Sequence, residues 1–286
     1  MNQLIIDNVS KKYPNTLALD HVTLTLQEGI HAFIGPNGAG KSTLIHIIAT
    51  LLSPSSGIIL YNGQDITKLQ DDYRSLIGYM PQNQQGYEQF SGYQFLHYMA
   101  VLKGLDKKKS DQQIEELIEA VSLREAIHRK IKTYSGGMRQ RLMFAQAILG
   151  DPSIIILDEP TAGLDPSQRI RMRNQIFQVS QGKIVLVATH VMQDIESIAS
   201  HIIMIKQGRI LFEGNMKELL SPLQGKVFEC RIPSNQLKTY QKEYSISHIS
   251  KIEDEYLIRC ISKQQQVSQL VNAHMEDAYL YYMENL

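Results

Sequence analysis

The sequence predicts an α/β core with an antiparallel β subdomain ahead of it, a helical insert within it and a small α+β C-terminal domain after it. Three observations carry this. From Ile30 onward, short apolar runs bounded by glycine, proline or aspartate (IHAFI, IIIL, KIVLVA, HIIMI) alternate with helical stretches, as buried parallel strands do. Between residues 90 and 130 the apolar positions switch to helical spacing. After Gly214 the composition shifts again, with a Ser-Pro-Leu-Gln-Gly linker at residues 221–225.

At the N-terminus, LIIDNVS and HVTLTLQ flank the turn-forming KKYPN, and the second segment alternates with period two, so residues 3–28 are expected as antiparallel strands. In the insert, Phe95, Met99 and Leu102, then Ile114, Leu117, Ile118 and Val121, are apolar positions at helical spacing and predict an inserted helical subdomain about 40 residues long. Lys107, Lys108 and Lys109 are expected to form a solvated connector between them, within a helical subdomain spanning about 85–150. VFECRIP, HISKI, EYLIRCIS and a helical tail make up the C-terminal domain, residues 221–286, which follows a main domain of residues 1–220. No repeat is apparent, and the KQQQ run at 263–266 is the one biased stretch.

Composition narrows the functional classes. The 286 residues exceed the roughly 100 to 200 of an ordinary domain. Lysine plus arginine and aspartate plus glutamate both number 29, so the chain lacks the basic field of a nucleic-acid binder, and no nucleic-acid partner is expected. The nearly apolar stretch 44–52 falls well short of the roughly 20 residues that span a bilayer. With no apolar leader at the N-terminus, a cytoplasmic location is expected. Cys230 and Cys260, with no CxxC partner, read as reduced buried thiols.

Gly35, Pro36, Asn37, Gly38, Ala39, Gly40, Lys41, Ser42 and Thr43 fit G-x-x-x-x-G-K-[ST], after strand IHAFI and before helix STLIHIIATLL. This makes the core a P-loop nucleotidase core. Glycines let backbone N–H groups converge on phosphate oxygens at a helix N-terminus, Lys41 reaches the β and γ phosphates, and the Ser42 hydroxyl is placed to coordinate Mg²⁺. The apolar run at residues 154–157 then ends in Asp158 and Glu159. Adjacent strand side chains face opposite ways, so the two acids divide the work: Asp158 for Mg²⁺ through water, Glu159 for the attacking water. To this point a kinase or a GTPase would fit equally.

The segment Tyr134-Ser135-Gly136-Gly137-Met138-Arg139-Gln140-Arg141 resembles the signature of ATP-binding cassette (ABC) proteins. Tyr79-Met80-Pro81-Gln82 resembles the family's glutamine loop, Gly163-Leu164-Asp165-Pro166 the loop after its catalytic glutamate, and Ala188-Thr189-His190 its switch histidine. Tyr13 is placed like the aromatic residue that stacks on adenine, with a plain surface aromatic as the alternative. The resemblance covers about residues 1–220 and implies an ATPase with ATP and Mg²⁺ as cofactors. It further implies Glu159, His190 and Gln82 as catalytic residues, and Ser42, Gln82 and Asp158 around the metal. Tyr13, the phosphate loop, Ser135, Gly136, Gly137 and Asp165 would hold nucleotide. Gln84 and Gln85 compete with Gln82, which its position after Pro81 favours. Ser135, Gly136 and Gly137 open a helix and form a second anion site without its own lysine. In the family that site meets the γ-phosphate on the opposite subunit, so a homodimer or pseudo-dimer is implied.

The signature departs from the family's usual pattern at Tyr134 and Met138, where leucine and glutamine are customary. The segment Gly208-Arg209-Ile210-Leu211-Phe212-Glu213-Gly214 and the ending Met275-Glu276-Asp277-Ala278-Tyr279-Leu280 resemble ATPase subunits of ABC-2 type exporters, whose permease is a separate membrane protein. That places the chain peripherally on the inner face of the membrane. The rival is a soluble cassette such as an iron-sulfur assembly subunit, which would not be expected to carry this C-terminal extension. The extension itself reads as a stabilising or dimerising appendage.

Overall fold

The computed structural model describes residues 2–82, 87–262 and 269–284. It divides into two compact units, Met1–Ile210 and Leu211–Leu286.

In the first unit, β1 (Leu4–Tyr13) and β2 (Thr16–Leu26) form a hairpin whose turn is only Pro14-Asn15, with Tyr13 paired to Thr16. Lys11 and Lys12, read in sequence as turn, are still strand. Val22, Leu24 and Leu26 are buried while His21, Thr23 and Thr25 face solvent, the alternation of a one-sided sheet. After β3 (Gly29–Ile34) and α1 (Lys41–Ile48) come β4 (Ser56–Tyr61) and β5 (Gln64–Asp65), giving a four-stranded sheet ordered β2-β1-β4-β5. Helix α1 is shorter than expected. Thr50 takes a left-handed φ of 59°, and the Leu51 and Leu52 amides both turn back to the His46 carbonyl at 2.8 and 3.2 Å, closing the helix before these leucines.

Two short helices, α2 (Ile66–Leu69) and α3 (Asp71–Ser75), lead to β6 (Ile77–Met80). The insert is α4 (Gly92–Leu102), opened by a Ser91–Gln94 capping box, and α5 (Lys107–Ala120). The lysine run is no connector. Lys107, Lys108 and Lys109 form the first turn of α5, because Asp106 caps it by accepting from the Lys109 amide and Ser110, Ile114, Leu117 and Ile118 bury one face. The signature helix α6 (Gly136–Ile148) precedes β7 (Ile154–Asp158), α7 (Pro166–Val179), β8 (Ile184–Ala188), α8 (Met192–Ile198), β9 (His201–Lys206) and β10 (Arg209–Gly214). The six-stranded sheet is ordered β10-β9-β3-β8-β7-β6, and β9, β3, β8, β7 and β6 run parallel to one another.

The central strands are apolar along most of their length, His31 and the terminal Asp158 apart, because each face meets a different core. Ile155, Leu157, Val185 and Val187 pack with the insert residues Phe95, Leu96 and Ile114, and with Phe144 of α6. Ile154, Ile156, Ile184 and Leu186 pack with Leu44 and Ile45 of α1 and with Leu4, Leu24 and Leu26 of the hairpin sheet. The phosphate loop and the acidic strand therefore belong to one sheet, and their functional ends lie at the carboxyl ends of parallel strands, where open α/β sheets form their crevices.

The second unit holds α9 (Met216–Leu220), β11 (Val227–Pro233), α10 (Leu237–Glu243), β12 (Ser245–Ile252), β13 (Glu255–Ile261) and α11 (Met275–Glu284). Its antiparallel sheet is ordered β11-β13-β12 over a core of Phe228, Ile232, Ile258 and Cys260. Asp277 is fully buried and takes Arg259 (3.0 and 2.8 Å), the Ser247 hydroxyl (2.5 Å) and the His274 amide (2.8 Å), while Arg259 also reaches Glu229 at 2.9 Å. Both cysteines are free; Cys260 is buried and Cys230 only half-buried. Among the described residues, no helix is long and apolar enough to cross a membrane.

Candidate functional site

The phosphate loop is held against its neighbours by contacts that only glycine allows. A Cβ on Gly35 would lie 2.1 Å from the Ile205 carbonyl oxygen, and one on Gly40, at φ 111°, would lie 2.5 Å from that of Ala18. The Lys41 ammonium donates to the carbonyls of Gly35 (2.6 Å) and Pro36 (3.1 Å), folding the lysine back over its own loop. Burial lowers its pKa, and the charges of Glu159 and Asp158 work the other way.

An open cleft of about 380 Å³ gathers residues 37–43, Tyr13, Thr16, Ala18, Gln82, Asp158 and Glu159. Ten of the expected nucleotide and metal residues thus meet in one place, with Gly35 and Pro36 contributing their carbonyls to Lys41. Tyr13 is 40% exposed at the cleft, with the Lys11 ammonium 5.5 Å from its ring centroid. Gln84 and Gln85 lie outside the described residues.

Asp158 is the last residue of β7 and only 6% exposed. Burial, then the charge of Glu159, pushes its carboxyl above the usual range, with His46 and Lys41 opposing. Ser42, Gln82 and Asp158 offer a hydroxyl, an amide oxygen and a carboxylate to the same cleft. Among the described residues no cluster of three His, Cys, Asp or Glu exists to cage a metal by itself. That donor set fits a hard, oxygen-seeking cation that also draws ligands from phosphate and water, and a cation there would relieve the buried carboxylate.

Glu159 leaves the strand. Its φ is 54°, a left-handed conformation uncommon for a residue with a side chain, and it is fixed from several sides. Its amide donates to the Ala188 carbonyl (2.8 Å), and its own carbonyl accepts from the Gln140 side chain (2.6 Å). Its carboxylate takes the Thr189 hydroxyl at 3.2 Å and lies 2.8 Å from His190 Nδ1. The turn, rather than strand alternation, separates the two acids. His190 is reached through Glu159, and its side chain is 71% exposed.

Among the described residues, Ser135, Gly136, Gly137 and Asp165 stand outside the cleft's lining. Ser135 caps α6, its hydroxyl accepting from the Met138 amide at 3.2 Å, and Gly136 is exposed with open space where a Cβ would be. Gly137 packs on the Asp165 loop, since a Cβ there would fall 2.5 Å from Gln168 Oε1. Asp165 caps α7, accepting from the Gln168 amide (2.9 Å) and the Ser167 hydroxyl (2.8 Å), which holds its carboxyl below the usual range. Sequence reasoning missed Gln140 and Thr189 as supports of Glu159, and Thr16 and Ala18 as cleft walls. Thr189 was within reach, because it adjoins the histidine; Gln140 gave no local sign of its reach.

The ABC transporter family model matches residues 19–162. An uncharacterised ABC transporter ATP-binding protein of Bacillus subtilis (strain 168), YxlF, is 39% identical over 226 residues, covering 79% of this chain and 75% of the relative. The chain belongs to the ABC transporter family. The cassette binds and hydrolyses ATP as members of the family do. The daunorubicin/doxorubicin resistance ATP-binding protein DrrA of Streptomyces peucetius is 38% identical over 232 residues, 79% of this chain and 69% of its own. Among solved structures, an ATP-binding subunit of an ABC transporter superposes with a TM-score of 0.72 at 27% identity, over 77% of this chain and 93% of that one.

Proposed function

We propose that this cassette is the ATP-hydrolysing subunit of an exporter whose membrane-spanning permease is a separate polypeptide, and that two cassettes close on ATP. One observation carries the two-cassette reading. The cleft collects the phosphate loop, both carboxylates and Gln82, while the exposed N-terminus of α6, with its capping serine and two glycines, stands apart as an anion-binding end. A second copy facing the opposite way supplies it with a phosphate. Kinship to DrrA, a resistance protein by name, supports export. The cassette then sits on the cytoplasmic face, held by its permease, which chooses the cargo.

In this reading residues 35–43 bind the phosphates through backbone N–H groups and Lys41, Tyr13 stacks on adenine, and Asp165 supports the signature end through Gly137 and Gln168. Ser42, Gln82 and Asp158 would hold Mg²⁺, which supplies neutralisation of phosphate charge when bound. Glu159 takes the proton of the attacking water, and His190 orients that water and the γ-phosphate while bonded to Glu159. The C-terminal part, Leu211–Leu286, is an appendage to this engine.

Affinity capture of tagged Glu159→Gln protein from membranes with ATP tests the proposal. Stoichiometric recovery of a multi-spanning permease is the expected result; recovery of soluble partners alone moves the cassette to the non-transport class.

A further inference from the structure

Tyr134, where the signature departs from leucine, is 5% exposed, and its hydroxyl donates to the Ala126 carbonyl at 2.8 Å. The same oxygen fills the space where Gly92 has no side chain: a Cβ there would lie 2.4 Å from it and 2.9 Å from Ile127 Cδ1. Burial raises the phenol's pKa, with the Gly92 backbone amide acting against that rise. Gly92 is the first residue of α4, where helix N–H groups lack partners within the helix. Two further bonds join the same segments, from the Tyr93 amide to the Ile127 carbonyl (2.9 Å) and from the Ile131 amide to the Phe90 carbonyl (2.8 Å). The residue after Tyr134 is Ser135, the cap of α6.

We infer that Tyr134 is a positioning residue whose hydroxyl locks the start of the helical insert to the cap of the signature helix, so that α4 and the exposed end of α6 hold one fixed relation as two cassettes close on ATP. A leucine could fill the space, yet it would leave the Ala126 carbonyl with the local Arg129 amide (2.9 Å) in place of a bond to the signature segment, and the Gly92 contact without polarity. The inference rests on the reading of Ser135, Gly136 and Gly137 as the end that meets the partner's phosphate.

The test uses the full chain carrying Glu159→Gln, with and without Tyr134→Phe. ATP affinity of the monomer, set by its own phosphate loop, should match within twofold or so, while the ATP concentration needed for dimer formation in sedimentation rises about fivefold to tenfold, the worth of one buried hydrogen bond. Hydrogen exchange at the Gly136 and Gly137 amides should accelerate. Gly92→Ala should lower the melting temperature sharply alone and less in the Tyr134→Phe background, because the clashing oxygen is gone. An unchanged dimerisation midpoint and unchanged exchange in Tyr134→Phe would overturn the inference. Gly136→Asp separates the two ideas, since it places a carboxylate in open space. If it leaves dimerisation intact, the phosphate reading falls and takes this inference with it; if it abolishes the dimer while Tyr134→Phe does nothing, the inference falls alone.

Discussion

His190 Nδ1 lies 2.8 Å from Glu159 Oε1, while the other oxygen of the same carboxylate receives the Thr189 hydroxyl at 3.2 Å. Two consecutive residues after β8 thus clamp one carboxylate that follows β7, and the pairing of Asp158 with Ala188 across these strands sets the spacing. An acid held this way keeps its oxygens aimed at the cleft.

Replacing that acid isosterically should separate binding from chemistry. In Glu159→Gln the left-handed backbone and the amide bond to Ala188 remain, whereas the proton acceptor is gone. Phosphate release should fall by about 10² to 10⁴, the range for loss of a positioned general base, with nucleotide binding by fluorescence titration retained.

Thr189→Val tests the clamp from the other side. The Thr189 hydroxyl also accepts from the Val191 amide at 3.1 Å, so its loss leaves that amide short of a partner and costs about 1 kcal/mol. The turnover number should drop several-fold while KM for ATP stays within about twofold, because the phosphate loop is untouched. Equal loss in both would show that the hydroxyl serves only to hold the fold.

Lys103 gives a pH signature. Its ammonium, at the end of α4, caps the last turn of α6 by donating to the carbonyls of Leu149 (2.6 Å) and Gln146 (3.2 Å), and burial lowers its pKa from 10.5 to about 8. Between pH 8 and 10.5 the unfolded chain therefore keeps a proton that the folded chain has released. Wild-type stability should rise relative to Lys103→Met as pH climbs through that window, in paired denaturant titrations. Below pH 8 both states are protonated and the difference should be flat.

In the second unit, Asp277→Ala strands a guanidinium. Arg259 is 11% exposed at its side chain and, among the described residues, keeps Glu229 as its one carboxylate partner. Breaking a buried pair costs roughly 3 to 5 kcal/mol, which should unfold residues 211–286 early in a urea titration. ATP binding by the first unit should persist at those urea concentrations.

The runs IHAFI, IIIL and KIVLVA were legible as buried strands because both faces of the sheet are covered, so His31 is the one polar position inside them, and it is itself buried with Nε2 2.7 Å from the Gln27 carbonyl oxygen. The phosphate loop was legible because left-handed φ and close backbone approach leave glycine as the available residue at positions such as Gly40. The start of α5 was hidden, since three lysines carry no apolar signal and the helix is announced only by Asp106, a single capping residue. Convergence at the site came from the family resemblance for Glu159 and His190, which stand 31 positions apart. The supports from Gln140 and Tyr134 depend on tertiary approach of helices, a relation that no local pattern encodes.

The left-handed turn at Glu159 also bears on how variants of this protein would rank. A non-glycine residue held at φ 54° beside a second buried carboxylate costs on the order of 1 to 3 kcal/mol. Glycine at 159 would relax the backbone and remove one of two crowded charges, so selection for heat resistance alone would drift toward a chain that grips ATP and never releases phosphate. Robustness and turnover pull in opposite directions at this single position, and a screen for improved cassettes has to score both.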